Sequence, residues 1–436
     1  MDEKTLEPTA VELLPGFRRR AVLAIGAGNL LEWYDFAVYA SLAGTLGVLF
    51  FSSESPLVAL LATFSVFAVG YVARPVGAVV FGRLADKRGR KIALVLVITL
   101  MGVATVLVGL MPTYETIGVL APILLSLARI AQGISVGGEF STSISYLVEI
   151  APTGRRGIYG SVAYLTACLG FGLGLAVVYL LNGVLGAETL LEWGWRIPFL
   201  LSFPLLLIGM YLRRRTTETP AFATLQRASE VEESPLRSTL RSEWRPMTRL
   251  FGMMIAFAVS SYTVLAFVLS FLLVVQRQPA SLAYSSVLVA TGIGSLMIPF
   301  FGALSDRVGR RPVLLAGAVG LIVLALPGYL LMSAGEFWGA TLGQLLIWLP
   351  VAVFCGVFPA AYCELFPTRR RSTAVGLPVA LGTAIFSGTT PLVSTLLIES
   401  TGSVVAPAWY LISAAVVSMA FLWGLRETAD GELDPV

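Results

Sequence analysis

The residues best suited to chemistry are ionisable side chains that lie inside long apolar stretches. Glu32 and Asp35 lie three residues apart in the first stretch, so both project from one face of a helix, which Tyr39 extends by one turn. At 1.5 Å per residue, these acids lie about 16–21 Å from one end of their stretch, and Arg74 lies about 15 Å into the second. Because charged groups in lipid are costly and usually functional, the sequence predicts an ion pair between Arg74 and these acids on adjacent helices.

The fourth apolar stretch carries a second set of polar groups. Arg129 and Gln132 share a helix face, and Glu139 lies about 15 Å further along the helix. Gly133 and Gly137 form a small-xxx-small pattern, which lets a neighbouring helix approach closely. We expect Arg129 and Glu139 to have functional roles, and a purely structural pairing with other helices is the alternative for both.

The remaining candidates have stronger structural alternatives. Arg196 follows Trp193 and Trp195, which are typical of an interfacial aromatic belt, so it either faces a central pathway or extends toward the membrane surface as an anchor. The second half of the chain has almost no charge inside its apolar stretches. Its candidates are polar or aromatic residues for which packing is the commoner role: Tyr262, Gln344, Tyr362 and Thr383.

The composition excludes a water-soluble globular protein. Charged residues make up 13% of the chain and hydrophobic residues 56%, whereas soluble domains carry about 25% charged residues. The formal net charge is +4 without a basic stripe, so nucleic-acid binding is not expected. The chain has no histidine, and its cysteines lie in apolar stretches without metal-site spacing, so we expect no metal and no cofactor. The sequence contains no nucleophile–base pair, which argues against an enzyme.

Apolar runs long enough to cross a bilayer recur along the chain, and their continuous Leu, Val, Ala and Gly content favours helices over a β-barrel. Lysine and arginine cluster in alternate connections, with Arg277 as the exception, which predicts an even number of spans and cytoplasmic termini. We expect an all-α membrane protein with an N-terminal six-helix bundle in 1–212, a cytoplasmic linker in 213–247 and a C-terminal six-helix bundle in 248–436. The twelve predicted spans are 21–49, 57–84, 92–111, 117–150, 157–184, 196–212, 248–276, 282–305, 312–333, 337–365, 372–399 and 404–425.

A short charged segment occurs twice, half a chain length apart. Gly82–Lys91 and Gly302–Arg311 are identical at five of ten positions, and their offset is 302 − 82 = 220 residues in a chain of 436. A second pair of motifs, which begin at Glu149 and Glu364, follows the fourth and tenth spans. Such repetition is typical of transporters built from two similar bundles, and we expect each segment to act as a breakable clasp whose aspartate faces a helix N-terminus. The predicted hinge residues are Gly82, Asp86, Gly89 and Arg90 in the first copy, and Gly302, Asp306, Gly309 and Arg310 in the second.

Four motifs resemble those of the metabolite:proton symporter family of the major facilitator superfamily. They are Gly28–Phe36, Arg74–Gly77, Gln132–Glu139 and Trp193–Phe199, and the likeness extends in order over nearly the whole chain. The resemblance implies the major facilitator superfamily fold with twelve helices, alternating access, and uptake driven by the proton gradient. Known members carry 2-oxoglutarate, citrate, shikimate or the zwitterions proline and betaine. The first half looks closest to the 2-oxoglutarate carriers, and spans nine to twelve look as close to the citrate and proline/betaine carriers.

We therefore expect a monomeric, multi-pass protein of the bacterial inner membrane that takes up a small organic anion together with protons. The predicted substrate is a di- or tricarboxylate such as 2-oxoglutarate or citrate. The alternatives are a proton symporter for proline/betaine-type zwitterions and a proton-driven exporter of amphipathic compounds. Arg74 is the first candidate for the substrate carboxylate, because guanidinium binds carboxylate with paired hydrogen bonds and this binding would release an acid for protonation. The other predicted substrate contacts are Asn29, Tyr39, Arg129, Gln132, Arg196 and Tyr262, and the predicted proton-coupling residues are Glu32, Asp35 and Glu139.

Overall fold

A computed structural model describes residues 17–51, 55–77, 80–81, 90–137, 144–145, 147–148, 150–152, 154–215, 241–366, 371–429 and 431. Within these ranges the regular structure is helical throughout. Helices are the expected solution for so apolar a chain, because backbone N–H and C=O groups in lipid must form hydrogen bonds within their own segment.

The N-terminal half supplies helices α1 to α6. α1 spans Phe17–Ser41 and continues, after Leu42, as Ala43–Phe50. A single helical turn, Tyr114–Ile117, precedes α4. The other helices are α2 (Pro56–Gly77), α3 (Arg90–Leu110), α4 (Leu120–Val136), α5 (Arg156–Gly194) and α6 (Arg196–Leu200, continued by Ser202–Arg215).

The C-terminal half supplies helices α7 to α12. Two of them contain π-helical segments, a feature that is common at functional sites: Thr263–Phe267 and Phe271–Val275 lie in α7, and Thr383–Ser387 lies in α11. The helices are α7 (Trp244–Val275), α8 (Ala280–Val308), α9 (Arg310–Met332), α10 (Phe337–Glu364), α11 (Ala374–Thr401) and α12 (Ala406–Trp423).

These elements follow the twelve predicted spans in order. Eight helices in the described part of the chain are long and apolar enough to cross a membrane, and shorter apolar helices lie at Leu96–Leu110, Leu120–Val136 and Arg196–Ile208. One difference within the described residues concerns α5, which was predicted over 157–184 but continues to Gly194. Gly186 has a φ of 78°, a conformation that glycine adopts readily, so the chain kinks there and resumes a helical course.

The helices form two groups that contact each other. In the N-terminal group α1 packs on α5, α2 packs on α4, and α3 packs on α4 and α6. In the C-terminal group α8 and α9 pack on α10, and α7 and α9 pack on α12. The groups meet where α5 contacts α8 and α10, and where α2 contacts α11. The domain limits at 212 and 248 stay predictions, because residues 216–240 lie outside the described residues.

Two pairs of glycines let helices meet at backbone distance. A Cβ atom on Gly133 of α4 would lie 1.8 Å from the carbonyl oxygen of Gly70 of α2. A Cβ atom on Gly157 of α5 would lie 2.3 Å from the carbonyl oxygen of Gly302 of α8. Only glycine fits at these distances. The first contact joins two helices of the N-terminal group, and the second joins the two groups to each other.

Candidate functional site

A small cavity of about 50 Å³ lies between the two groups of helices. Because one water molecule needs about 10–15 Å³ of such space, the cavity has room for a few waters, and a metabolite can enter only if the cavity widens. The N-terminal group contributes α1, α2, α5 and the end of α4, and the C-terminal group contributes α7 and α11. The described lining residues are Glu32, Trp33, Arg74, Val136, Gly137, Tyr164, Phe257, Tyr262, Gly376, Val379, Ala380 and Thr383.

Arg74 brings a buried positive charge to this cavity. The residue is 7% exposed, and its guanidinium carbon lies 3.8 Å from the ring centroid of Tyr71 and 4.9 Å from that of Phe36. These cation–π contacts stabilise the charge but supply no in-plane hydrogen-bond acceptor. Among the described residues, Nε and Nη2 of Arg74 have no acceptor. Glu32 lines the same cavity, so groups of opposite charge share it.

A second charged cluster lies within the N-terminal group. Arg129 donates from Nη1 to Oε1 of Gln132 at 2.7 Å, and Gln132 donates from Nε2 to Oδ2 of Asp35 at 3.1 Å and to Oγ1 of Thr105 at 2.8 Å. The Arg129 guanidinium carbon also lies 4.1 Å from the ring centroid of Tyr39. Arg129 and Asp35 are 1% and 3% exposed, and neither lines the cavity. Gln132 therefore connects a buried acid to a buried base.

The predicted pairing of Arg74 with both acids is thereby changed. Glu32 shares the cavity with Arg74, whereas Asp35 is linked to Arg129 through Gln132. The reason is helical geometry, because residues three apart differ by about 60° in direction and 4.5 Å in height. That difference is enough for neighbouring acids on α1 to face different helices.

Asn29 and Tyr39 lie away from the cavity lining and make packing contacts. Asn29 donates from Nδ2 to the carbonyl oxygen of Ala163 at 3.3 Å, which links α1 to α5. The Tyr39 hydroxyl donates to the carbonyl oxygen of Thr63 at 3.1 Å, which links α1 to α2. Both contacts satisfy polar groups between helices of one group.

Arg196 also lies apart from the cavity. Its guanidinium donates to the carbonyl oxygen of Met111 at 3.4 Å, and the guanidinium carbon lies 4.4 Å from the Trp195 ring centroid. These contacts match the anchoring alternative, since they cap the end of α3 next to an aromatic side chain. Glu139, the third predicted proton-coupling residue, lies outside the described residues.

Tyr262 is the predicted residue of the C-terminal half that contacts Tyr71, the ring on which Arg74 lies. It lines the cavity, and its hydroxyl accepts a hydrogen bond from the Tyr71 hydroxyl at 2.8 Å. Thr383 lines the cavity from α11. Tyr262 immediately precedes the π-helical segment Thr263–Phe267, and Thr383 begins the segment Thr383–Ser387. Irregular helix therefore borders the cavity on both C-terminal helices that line it.

The two other candidates of the C-terminal half make packing contacts. Gln344 donates from Nε2 to Oγ of Ser286 at 3.3 Å, which links α10 to α8. The Tyr362 ring stacks on the Phe358 ring, with 4.9 Å between the ring centroids. Neither residue lines the cavity.

Aromatic side chains of the cavity wall were missed by the sequence analysis. Trp33, Tyr164 and Phe257 all line the cavity, and all are buried. Trp33 directly follows Glu32, and this position beside a predicted functional acid was the signal by which the sequence could have identified it. Tyr164 and Phe257 lie in apolar runs where aromatic residues are common, so the sequence alone does not distinguish them from core residues.

A charged clasp joins the two groups at one end of the molecule. We call this the basic end; α5 and α9 begin here. Asp306 accepts hydrogen bonds from the backbone N–H groups of Gly157 and Ile158 at 2.8 and 3.0 Å, at the N-terminus of α5. Arg310 donates to Asp306 at 2.8 Å and to Glu364 at 3.0 and 3.2 Å. An acid of one group therefore caps a helix of the other, where negative charge is stabilised.

The segment after α12 adds to this clasp. Glu427 accepts hydrogen bonds from the backbone N–H groups of Arg310 and Arg311 at 2.8 and 3.1 Å. Arg156 of α5 donates to the carbonyl oxygen of Gly431 at 2.6 Å. Gly309 has a φ of 107°, and a Cβ atom there would lie 2.5 Å from Glu427, so glycine is required at this hinge.

The first copy of the hinge is mostly beyond the described part of the chain. Gly82, Asp86 and Gly89 lie outside the described residues, and Arg90 begins α3 without a described side chain. The clasp is therefore defined here by its second copy alone.

Comparisons with known proteins agree with this architecture. The sequence pattern of the Major Facilitator Superfamily matches residues 25–377. The chain is 36% identical to the proline/betaine transporter of Salmonella typhimurium, over 96% of this chain and 85% of that protein. It is also 36% identical to the glycine betaine/proline/ectoine/pipecolic acid transporter OusA of Dickeya dadantii, over 99% of this chain and 89% of that protein.

The fold agrees with solved structures as well. The xylose transporter XylE from E. coli, in a partially occluded inward open conformation, superposes with a TM-score of 0.75 over 96% of this chain and all of that chain, at 20% identity. These matches confirm the predicted all-helical membrane fold and the prediction of a transporter rather than an enzyme. This multi-pass membrane chain belongs to the major facilitator superfamily.

Proposed function

We propose that this protein is a proton-coupled symporter for small zwitterions of the proline/betaine type. The observation that carries the proposal is a central cavity in which Arg74 and Glu32 are the charged residues within the described lining. One buried cation and one buried acid suit a solute that carries one charge of each sign. The transport of proline and betaine by relatives 36% identical over most of their length supports the same class.

Charge balance argues against the di- and tricarboxylates that the sequence analysis favoured. Such a solute brings two or three negative charges to a cavity that offers one arginine and an acid of like charge. Burying an unpaired charge is costly, whereas a zwitterion adds no net charge. The relatives likewise support the zwitterion alternative over carboxylate uptake.

Arg74 is the proposed partner of the substrate carboxylate. Its Nε and Nη2 donors have no acceptor among the described residues, and a buried donor left without one costs about 1–3 kcal/mol, more for a charged group. A carboxylate that accepts both hydrogen bonds removes that cost and forms a paired, charge-assisted contact. The rings of Tyr71 and Phe36 hold the guanidinium in place for it.

Asp35 is the proposed proton carrier. It is buried outside the substrate cavity and is linked by Gln132 to Arg129. Protonation of Asp35 removes the negative charge that balances Arg129, so the two protonation states favour different arrangements of α1 and α4. Glu32 is left as the charge partner of Arg74 when no substrate is bound.

The proposed transport cycle is alternating access across a bacterial inner membrane, with the basic end facing the cytoplasm. Asp306, Arg310 and Glu364 close the basic end between the groups. At the opposite end the Tyr284 hydroxyl donates to the carbonyl oxygen of Ser41 at 3.3 Å, which also joins the groups. Opening one set of contacts while the other holds would expose the cavity to one side at a time.

Uptake by purified protein in proteoliposomes tests the transported class. With an inward proton gradient, we expect accumulation of radiolabelled proline or glycine betaine and no accumulation of citrate or 2-oxoglutarate. Collapse of the gradient with a protonophore should abolish accumulation but leave exchange intact. Gradient-driven accumulation of a carboxylate without any zwitterion uptake would refute the proposal.

Counterflow separates coupling from binding. Asp35→Asn should keep substrate counterflow but lose gradient-driven accumulation, because the site still binds and moves substrate without carrying a proton. Glu32→Gln should change substrate affinity and keep accumulation. Glu399→Gln, the same acid-to-amide change at an exposed position of α11, serves as the control. Full accumulation by Asp35→Asn would rule out this coupling route.

A further inference from the structure

Four aromatic rings line the cavity beside the charged pair. Trp33 and Tyr262 have ring centroids 6.3 Å apart, and Tyr164 and Phe257 have ring centroids 5.1 Å apart. All four residues are 4–7% exposed and line the cavity. In each pair one ring comes from the N-terminal group and the other from α7 of the C-terminal group. This aromatic wall is therefore assembled only when the two groups lie against each other.

The aromatic wall lies close to the guanidinium that we assign to the substrate carboxylate. Arg74 lies on the ring of Tyr71, and the Tyr71 hydroxyl donates to the hydroxyl of Tyr262 at 2.8 Å. The Tyr71 and Tyr262 rings meet edge to face at 5.3 Å between centroids. The Tyr71 ring thus lies between the proposed anion-binding donors and the Tyr262 ring of the aromatic wall.

The chemistry of the wall distinguishes two kinds of cationic group. A primary ammonium has three N–H donors that need acceptors when buried, and the described lining offers a single carboxylate, that of Glu32, beside the hydroxyls of Tyr164, Tyr262 and Thr383. A quaternary ammonium has no N–H group, so it loses no hydrogen bond on entering an aromatic site. Its diffuse positive charge is attracted by the faces of Trp, Tyr and Phe rings.

We infer that Trp33, Tyr164, Phe257 and Tyr262 form the cation-binding part of the substrate site, and that they select N-methylated zwitterions over primary amino acids of similar size. The inference rests on the proposed function and deepens it. Glu32 balances the net charge of the cavity, whereas the rings make the direct contact with the cation, so Glu32 is not required for this contact. Because each ring pair spans both groups, a bound quaternary ammonium also favours closure of the groups around it.

Binding of matched probes to the purified full-length protein tests the inference. Glycine betaine and 3,3-dimethylbutanoate share a carboxylate and a similar shape, but the second carries a neutral tert-butyl group in place of the trimethylammonium group. Desolvated cation–π contacts contribute about 2 kcal/mol, which corresponds to about 30-fold in affinity. We expect betaine to bind at least tenfold more tightly than the tert-butyl analogue by isothermal titration calorimetry. Equal or weaker binding of betaine by the wild-type protein would overturn the inference.

Variants then identify the source of that preference. Trp33→Leu and Tyr262→Leu should bring the two affinities to within about threefold, whereas Tyr262→Phe, which keeps the ring, should preserve the ratio. Glu32→Gln should also preserve it, and its collapse in that variant alone would assign the cation to the carboxylate and overturn the inference. Phe300→Leu, an aromatic-to-Leu change at an exposed position of α8 outside the cavity lining, is the control.

Failure of the proposed function gives a different result. If neither betaine nor proline binds or is accumulated, the zwitterion proposal itself is wrong, and the inference is wrong with it. If both are accumulated but the tert-butyl analogue binds as tightly as betaine, the protein still transports zwitterions, and the assignment of the rings to the cation is wrong. Melting curves identify any variant that does not fold, and the wild-type comparison is decisive without variants.

Discussion

Replacing Asp306 by asparagine should open the basic end of the molecule. The Asp306 carboxylate accepts two backbone N–H groups at the start of α5, at 2.8 and 3.0 Å, and a guanidinium N–H of Arg310 at 2.8 Å. An amide has a single oxygen, so the variant accepts from one of the backbone donors and turns an NH₂ group toward the other. It also loses the ion pair with Arg310, whose side chain is almost fully buried.

The expected magnitude follows from these contacts. A hydrogen bond to a charged group contributes about 1.5–3 kcal/mol, and a negative charge at a helix N-terminus contributes up to about 2 kcal/mol. Because one neutral hydrogen bond survives and Arg310 keeps its contacts with Glu364, we expect the closed basic end to lose about 2–4 kcal/mol. At 1.4 kcal/mol per tenfold change, the ratio of closed to open molecules should fall by about 30- to 700-fold.

Electron–electron double resonance measures this ratio directly. Spin labels at Arg155 and Arg426, which are exposed and belong to opposite groups at the basic end, report the separation of the groups in a cysteine-free background. Asp306→Asn should shift the distance distribution to longer values and raise the accessibility of the cavity from that end. Glu399→Gln, an acid-to-amide change at the opposite end of the molecule, should leave it unchanged. An unshifted distribution in Asp306→Asn would show that Asp306 does not hold the groups together.

Two further predictions concern helix contacts. Gly133→Ala places a Cβ atom 1.8 Å from the Gly70 carbonyl oxygen, so α2 and α4 must separate at a cost of about 1–3 kcal/mol or more. The melting temperature of this variant should therefore fall. Gly183→Ala, whose Cβ atom meets open space, should have a melting temperature equal to or above that of the wild type. Burial alone would raise the pKa of Glu427, but four backbone N–H donors outweigh it and hold the pKa below its usual range. A lowered folded pKa means that the Glu427 carboxylate stabilises the protein fully above the unfolded pKa of about 4.3. Glu427→Gln should therefore be less stable than the wild type at pH 6. This difference should disappear as the pH falls below about 4.3 through the folded pKa. A pH-independent difference in melting temperature would contradict this assignment.

The lengths of the apolar runs were sufficient to predict the order of the helices and several of their limits. The α9 and α10 helices, Arg310–Met332 and Phe337–Glu364, lie within two residues of the predicted 312–333 and 337–365. Apolar length sets such limits directly, because the bilayer thickness fixes how long a helix must be. The prediction failed at the end of α5, where residues 185–194 include two glycines and two glutamates but stay helical beyond Gly186.

The grouping of the buried charges could not be predicted from the sequence. Which arginine meets which acid depends on the rotation of each helix about its axis, and a hydrophobic pattern does not fix that rotation for a helix that is apolar on all sides. Gln132 meets Asp35 across 97 positions of sequence, and Thr105, the fourth member of the cluster, has no local signal at all. The aromatic wall was missed for the same reason, since Phe257 differs from a core phenylalanine only in what it faces.

The two charged clusters are nonetheless in contact through one ring. The guanidinium carbon of Arg74 lies 4.9 Å from the Phe36 ring centroid, and that of Arg129 lies 5.4 Å from the same centroid. Phe36 is buried and follows Asp35 directly in α1. Charges interact strongly over such distances where water is excluded. A change of charge at Asp35 therefore changes the electrostatic potential at Arg129 and, across the shared ring, at Arg74. In the proposed symport, the proton binds at Asp35 and the substrate carboxylate binds at Arg74, so the two do not compete for one group. The sites stay in contact through Phe36, so a change at one can affect the other.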